Sequence, residues 1–239
     1  MVSPSPANEP GTTAPGTEPP APRRARGLSN SEFGDLVAPA HTAVLLQEMQ
    51  RGVVGADSKL PALAEAGASI GLIGHVASVV IAARRVGASV VHCTAENLPG
   101  GFGGNRNARL FVGARRAGLE NLPGTGAVRP VAEVGPEPGD VVLPRYHGLS
   151  PMSGSPLDQL LRNNGVRTVV VVGVSLNLAI PNLVFDAVNL SYRVVVVTDA
   201  VAGVPVEYGE RVVAESLALV ATLTTTAGLV DTWTEVVTR

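Results

Sequence analysis

From Thr42 onward, short β-branched apolar runs alternate with longer stretches whose apolar residues recur at helical spacing. Residues 42–48, 89–94, 140–143, 168–174 and 193–199 read as strands. Residues 69–86, 157–164, 179–190 and 207–224 read as helices. The first of these helices closes on Arg84-Arg85 and then Gly87; cations and glycine both suit a helix C-terminus. A strand as continuously apolar as Thr168–Val174 is buried on both faces, and strands alternating with helices form right-handed βαβ units. The predicted fold is therefore a three-layer α/β/α sandwich around a mainly parallel central sheet. Such sheets bind ligands at the carboxyl ends of their strands. Glu48, the segment Cys93–Glu96, the segment Pro144–His147 and the turn Ser175–Ala179 then share one rim.

Residues 1–38 break this pattern. Seven prolines fall between Pro4 and Pro22, mixed with Ser, Thr, Gly and Ala, and no apolar period appears. The expectation is a disordered Pro-rich tail over 1–38 and a single domain over 39–239. With 239 residues, 45% of them hydrophobic, the chain can bury one sizeable core. A net charge of −2 and only 3% aromatic residues argue against a nucleic-acid partner. The apolar runs fall far short of a membrane span, and the N-terminus shows no secretory pattern. The expectation is thus a cytoplasmic protein with no membrane partner. Cys93 is the single cysteine, which excludes an internal disulfide or a CxxC motif. There are 17 arginines and one lysine, so a mechanism that needs a lysine has only Lys59.

Several stretches on the rim resemble the isochorismatase-like, or cysteine hydrolase, superfamily. TAVLLQEMQ at 42–50 is similar to its opening strand, which usually ends in Asp-Met-Gln. Residues 91–96 with NRNARLF at 105–111 resemble its second strand and following loop. PGDVV at 138–142 and SPLDQLLR at 155–162 resemble its middle. GVSLNLA at 173–179, followed by Asp186-Ala187, Tyr192 and Asp199-Ala200, resembles its signature strand–turn–helix. The ordered set runs from about residue 42 to 223. It implies a Rossmann-like topology, a small-molecule substrate, and a homo-oligomer, as a dimer or tetramer. Family members hydrolyse amides and related compounds with an Asp, a Lys and a Cys. Here the resemblance puts Glu48 in the Asp position, no lysine in the Lys position around 143–145, and Ala179 in the Cys position. Lys59, in the loop after the first strand, is a poor substitute. Acyl transfer through the usual thiolate is chemically closed.

Glu48 is the sharpest catalytic candidate, because a carboxylate at the end of an apolar strand is desolvated and its pKa raised. A solvated or arginine-paired rim carboxylate is the plain alternative. Arg145 supplies a permanent cation that clamps a carboxylate without shuttling protons, unless it is a surface arginine. His147, in a Gly/Pro/Ser-rich insertion, titrates near neutrality, unless it is an idle loop residue. Ser175, Asn177, Leu178 and Ala179 form a candidate substrate-binding turn, with Asn177 as helix N-cap and Pro181 in the first turn. The resemblance implies that the Leu178 and Ala179 amides form an oxyanion hole, with a cis peptide at Val174–Ser175. Ser175 as a replacement nucleophile lacks an evident base, and a turn serine bonding local backbone is the simpler reading.

Cys93 could be a relocated nucleophile, but a lone cysteine on a buried strand is ordinarily an inert small hydrophobe. His92 points the other way, into core or helix packing. The glycine run 100–104 fails the dinucleotide fingerprint and carries no Walker lysine. It reads instead as a loop over the rim, with Phe102 as a lid residue and Asn105, Arg106 and Asn107 presented to substrate or to a neighbouring subunit. No second histidine lies at ligand spacing from His92, so neither metal nor cofactor is expected. Two functions fit. One is a hydrolase that works without the cysteine, with Glu48 as acid, water as nucleophile, and Arg145 or the turn amides on a substrate carboxylate. The other is a catalytically inactive member that binds a small ligand or serves as a structural subunit.

Overall fold

The computed structural model describes residues 25–237. Six strands form one sheet: β1 (Thr42–Gln47), β2 (Ser89–Ala95), β3 (Val141–Arg145), β4 (Thr168–Val174), β5 (Arg193–Ala202) and β6 (Thr222–Thr224). Their order is β3-β2-β1-β4-β5-β6, and every pairing is parallel. Alternate residues of each central strand enter opposite layers. Val44, Leu46, Val170 and Val172 pack with α1 (Asn30–Leu36), α4 (Leu72–Val86) and α10 (Thr226–Val237). Leu45, Val169, Val171 and Cys93 pack with α7 (Leu157–Asn163) and α8 (Ala179–Asn189). Two-sided burial explains why these strands read as unbroken apolar runs instead of an alternation. The three-layer expectation holds. The strand order reverses direction between β1 and β4, the place where open α/β sheets leave a crevice at their carboxyl ends.

Four sequence expectations need correction. The tail does not extend to residue 38: Ala25, Phe33 and Val37 are buried in the core. Ser29 caps α1 in a reciprocal box with Glu32, which satisfies two orphan helix donors at once. The expected tail up to residue 24 lies outside the described residues. The helix expected at 69–86 is α4, which starts at Leu72; an unforeseen helix, α3 (Pro61–Ser69), precedes it at 67° across a break containing Gly71, whose φ of +67° suits glycine. The helix expected at 207–224 is α9 (Val206–Arg211), a π turn, a short 3-10 turn and then β6. The threonines of β6 are extended because β5 offers Val195–Val197 as a ladder, and tertiary pairing overrides local helical spacing. Finally, α10 was not foreseen; it buries Leu229 and Trp233, and the indole N–H donates to the Val37 carbonyl at 2.8 Å. Among the described residues no single helix is long and apolar enough to cross a membrane. The remaining helices are α2 (Arg51–Val54), α5 (Arg109–Arg116) and α6 (Pro151–Gly154).

Candidate active site

Glu48 follows the last residue of β1 with φ +53°, a left-handed conformation that costs a non-glycine residue roughly 1–2 kcal/mol. Its backbone N–H donates to the Cys93 carbonyl at 2.9 Å, which holds the turn against that cost. Turned this way, the side chain lines a cavity of about 730 Å³ at the carboxyl ends of the strands. Glu48 Oε1 accepts from Arg145 Nη2 at 2.6 Å and from Gln47 Nε2 at 2.9 Å. Among the described residues no protein donor reaches Oε2. Burial pushes the Glu48 carboxyl above its usual range, while the Arg145 charge and the two hydrogen bonds offset part of the rise.

Arg145 ends β3 and is itself buried. Besides Glu48, it donates to the carbonyls of Gly148 and His147. Its stem lies against Gly154 in α6, where an added Cβ would come within 2.8 Å of Arg145 Cγ and Cδ. The carboxylate that Arg145 holds in this structure is Glu48, and three of its five donors are engaged inside the protein.

The turn after β4 brings a backbone donor to the same cavity. Gly173 has φ +109°, and a Cβ there would stand 2.1 Å from the Gln47 carbonyl oxygen, so only glycine lets β4 leave β1 at this point. The Val174–Ser175 peptide is cis. The Ser175 carbonyl accepts the N–H groups of Leu178 (3.3 Å) and Ile180 (3.0 Å). Of the two amides expected in an oxyanion hole, Leu178 is thus engaged, and Ala179 has no backbone acceptor among the described residues. Ser175, Leu178 and Ala179 all line the cavity. No base bonds the Ser175 hydroxyl among the described residues. Asn177 is not the N-cap; Leu178 takes that place without a side-chain bond. The Asn177 amide instead grips Val204 in the loop after β5, accepting its N–H at 2.8 Å and donating to its carbonyl at 2.5 Å.

The structure separates the other candidates. Asn105 lines the cavity and accepts the Gly148 N–H at 2.7 Å. His147 lines it too, exposed at the mouth. Phe102 is 78% exposed and is not part of the cavity wall, although its neighbours Gly100, Gly101 and Gly104 are. Cys93 is 2% exposed, and burial pushes its thiol up to about 12, so it is no nucleophile near neutral pH. His92 is buried on the opposite face, its Nε2 3.2 Å from Asp140, which Arg84 also holds. Lys59 is exposed and outside the cavity wall. Among the described residues no group of three His, Cys, Asp or Glu side chains is placed to hold a metal.

Two residues of the site were missed. Gln50 is fully buried; its Nε2 donates to the Ala95 carbonyl (3.1 Å) and its Oε1 accepts the Ala95 N–H (2.6 Å), tying the ends of β1 and β2 together. The signal was present, since Gln50 closes the TAVLLQEMQ run. Glu96 is a second carboxylate on the cavity wall; its Oε1 accepts from buried Thr94 at 3.1 Å.

Comparisons with known proteins agree with this fold. The family model of the isochorismatase domain matches residues 42–228. Ureidoacrylate amidohydrolase RutB of Enterobacter sp. (strain 638) is 27% identical over 188 residues, covering 73% of this chain and 80% of the relative. The crystal structure of an isochorismatase family protein from Desulfovibrio vulgaris superposes with a TM-score of 0.66 at 26% identity, over 83% of this chain and 98% of the other. N-carbamoylsarcosine amidase from Thermoplasma acidophilum shares the fold, with a TM-score of 0.62 at 23% identity over 78% and 96%. The all-parallel six-stranded sheet in this order, with helices on both faces, defines the class: an α/β protein of the isochorismatase-like fold. The chain belongs to the isochorismatase family of hydrolases.

Proposed function

We propose that this chain hydrolyses a small-molecule amide or vinyl ether with water as the nucleophile and Glu48 as the acid. The observation that carries the reading is the Glu48 carboxyl. It is half-buried in the cavity wall, locked at one oxygen by Arg145 and Gln47, without a protein donor at the other among the described residues, and its pKa is raised. With Ala179 where family members carry cysteine, and Cys93 buried as a neutral thiol, a covalent thioester route has no nucleophile. For an amide, water adds to the carbonyl carbon and the Ala179 N–H stabilises the oxyanion. Glu96 accepts the proton the water loses, Glu48 donates a proton to the leaving nitrogen, and the C–N bond breaks. For a vinyl ether, Glu48 protonates the vinyl carbon, water adds to the resulting cation and loses a proton to Glu48, and the hemiketal collapses with cleavage of the C–O bond to an alcohol and a carbonyl product. Two relatives carry amide-cleaving names, ureidoacrylate amidohydrolase and N-carbamoylsarcosine amidase. The family resemblance further supports a homo-oligomer in the cytoplasm.

One observation favours a silent, ligand-binding member: the Arg145 guanidinium 2.6 Å from Glu48 favours the ionised carboxylate, against an acid role. Turnover decides. A panel of small amides and isochorismate is incubated with wild type, Glu48→Gln and Cys93→Ser and read by mass spectrometry. The expected result is turnover by wild type and Cys93→Ser, and a loss of roughly 10²–10⁴-fold in Glu48→Gln. Full activity in Glu48→Gln overturns the assignment of Glu48, and no turnover of any compound favours the silent reading.

A further inference from the structure

The cavity is much larger than one scissile bond requires, and its charges are unevenly placed. At the strand ends, Arg145 is engaged by Glu48 and two carbonyls. The other three cations on the wall are Arg106, in the loop before α5, and Arg115 and Arg116, in its last turn. Among the described residues none of the three pairs with a carboxylate, although Glu96 and Glu120 line the same cavity. All three arginines are exposed to solvent. Arg115 lies close over the glycine-rich loop: Gly101 has φ +69°, and a Cβ there would stand 2.8 Å from Arg115 Nη1 and 3.6 Å from Cζ. The segment after α5 is tied to the residues just past β2, where the Asn121 carbonyl accepts from the Asn97 N–H at 2.8 Å and the Asn121 N–H donates to the Asn97 side chain at 3.0 Å. Apolar residues, among them Leu98, Leu110, Phe111 and Leu119, fill the wall around these cations.

We infer that the wall formed by α5 and the 100–106 loop is a carboxylate subsite, so that the substrate class is an anion: an apolar body carrying a carboxylate for Arg115, with Arg106 and Arg116 beside it, apart from the bond that is cut. A planar guanidinium with no internal partner matches a carboxylate in two parallel hydrogen bonds. This rests on the cavity being the substrate site proposed above, but not on turnover.

The test is calorimetric binding of hexanoate against hexanamide, two probes of similar size that differ in charge. It uses the full chain as wild type, Arg115→Met, Arg106→Met, Arg145→Met and Arg193→Met, the last outside the cavity, each first shown by thermal melting to be folded. Hexanoate is expected to bind wild type and Arg193→Met about tenfold more tightly than hexanamide at low salt. Arg115→Met is expected to remove most of that preference, Arg106→Met part of it, and molar salt to suppress it. Equal binding of the two probes overturns the subsite, as does failure of both to bind at millimolar concentration. A preference that survives Arg115→Met and Arg106→Met but is lost in Arg145→Met overturns it by moving the anion to the strand ends. Carboxylate binding without turnover of any compound leaves the subsite standing and removes only the hydrolase reading. Turnover of neutral amides with no carboxylate preference does the reverse.

Discussion

At the scale of single residues, the proposed chemistry turns on the Glu48 carboxyl, whose pKa burial raises above the usual 4.5. If the acid form is the active one, kcat/KM is high while Glu48 is protonated and falls as pH rises through the elevated value. The measurement is a pH–rate profile: its alkaline limb is expected to have a midpoint above 4.5 and to be absent in Glu48→Gln. Arg145→Met removes a charge that favours ionisation, so it is expected to move that limb to higher pH. Glu48 and Arg145 were both legible as candidates, since a charged residue after an apolar strand stands out against Val and Leu. Their pairing was not legible. The two lie 97 positions apart, and only the parallel register β1–β2–β3 brings those strand ends together. The role of Asn177 was misread for the same reason: as a local cap it made sense, but Val204 offers two backbone partners at once.

At the scale of elements, the strands were the readable part, because two-sided burial writes itself into continuous apolar sequence. The ends of the chain were not. The capping box of α1 is present as Ser29-Asn-Ser-Glu32, but it stands directly after a proline-rich stretch. The two threonines of β6 carry little apolar signal and owe their conformation to β5. The exit of β4 gives the sharpest element-level prediction. Gly173→Ala puts a methyl 2.1 Å from the Gln47 carbonyl oxygen and a side chain at φ +109°, so strand or turn must move. Denaturant unfolding is expected to show a loss of more than about 4 kcal/mol, or no folded protein at all. A cost near that of an ordinary surface substitution would show that β4 can leave the sheet by another path.

At the scale of the molecule, the described chain is one fold whose first and last helices close the same layer. Phe33 and Val37 from α1 meet Leu229 and Trp233 from α10, and the Trp233 indole bonds the Val37 carbonyl. The expected domain start at residue 39 cuts through this joint. A chain beginning at residue 39 is therefore expected to be less stable than the full chain by about 3–5 kcal/mol, from the burial of Phe33 and Val37 alone. Thermal melting of the two checks it, and equal melting temperatures would show α1 to be dispensable.

The loops around the cavity are joined largely by carboxamides. Gln50 grips Ala95, Asn177 grips Val204, Asn97 meets Asn121, and Asn105 holds Gly148. None of these groups gains or loses a proton between acid and alkaline pH, and none carries a charge for salt to screen. Apart from Arg145, which donates to the Gly148 and His147 carbonyls, this frame is electrically inert, so pH and salt act on it chiefly through that one cation. Ionic strength and pH then become clean instruments for this protein: a kinetic response to either reads the few charged groups inside the frame, and not the frame itself.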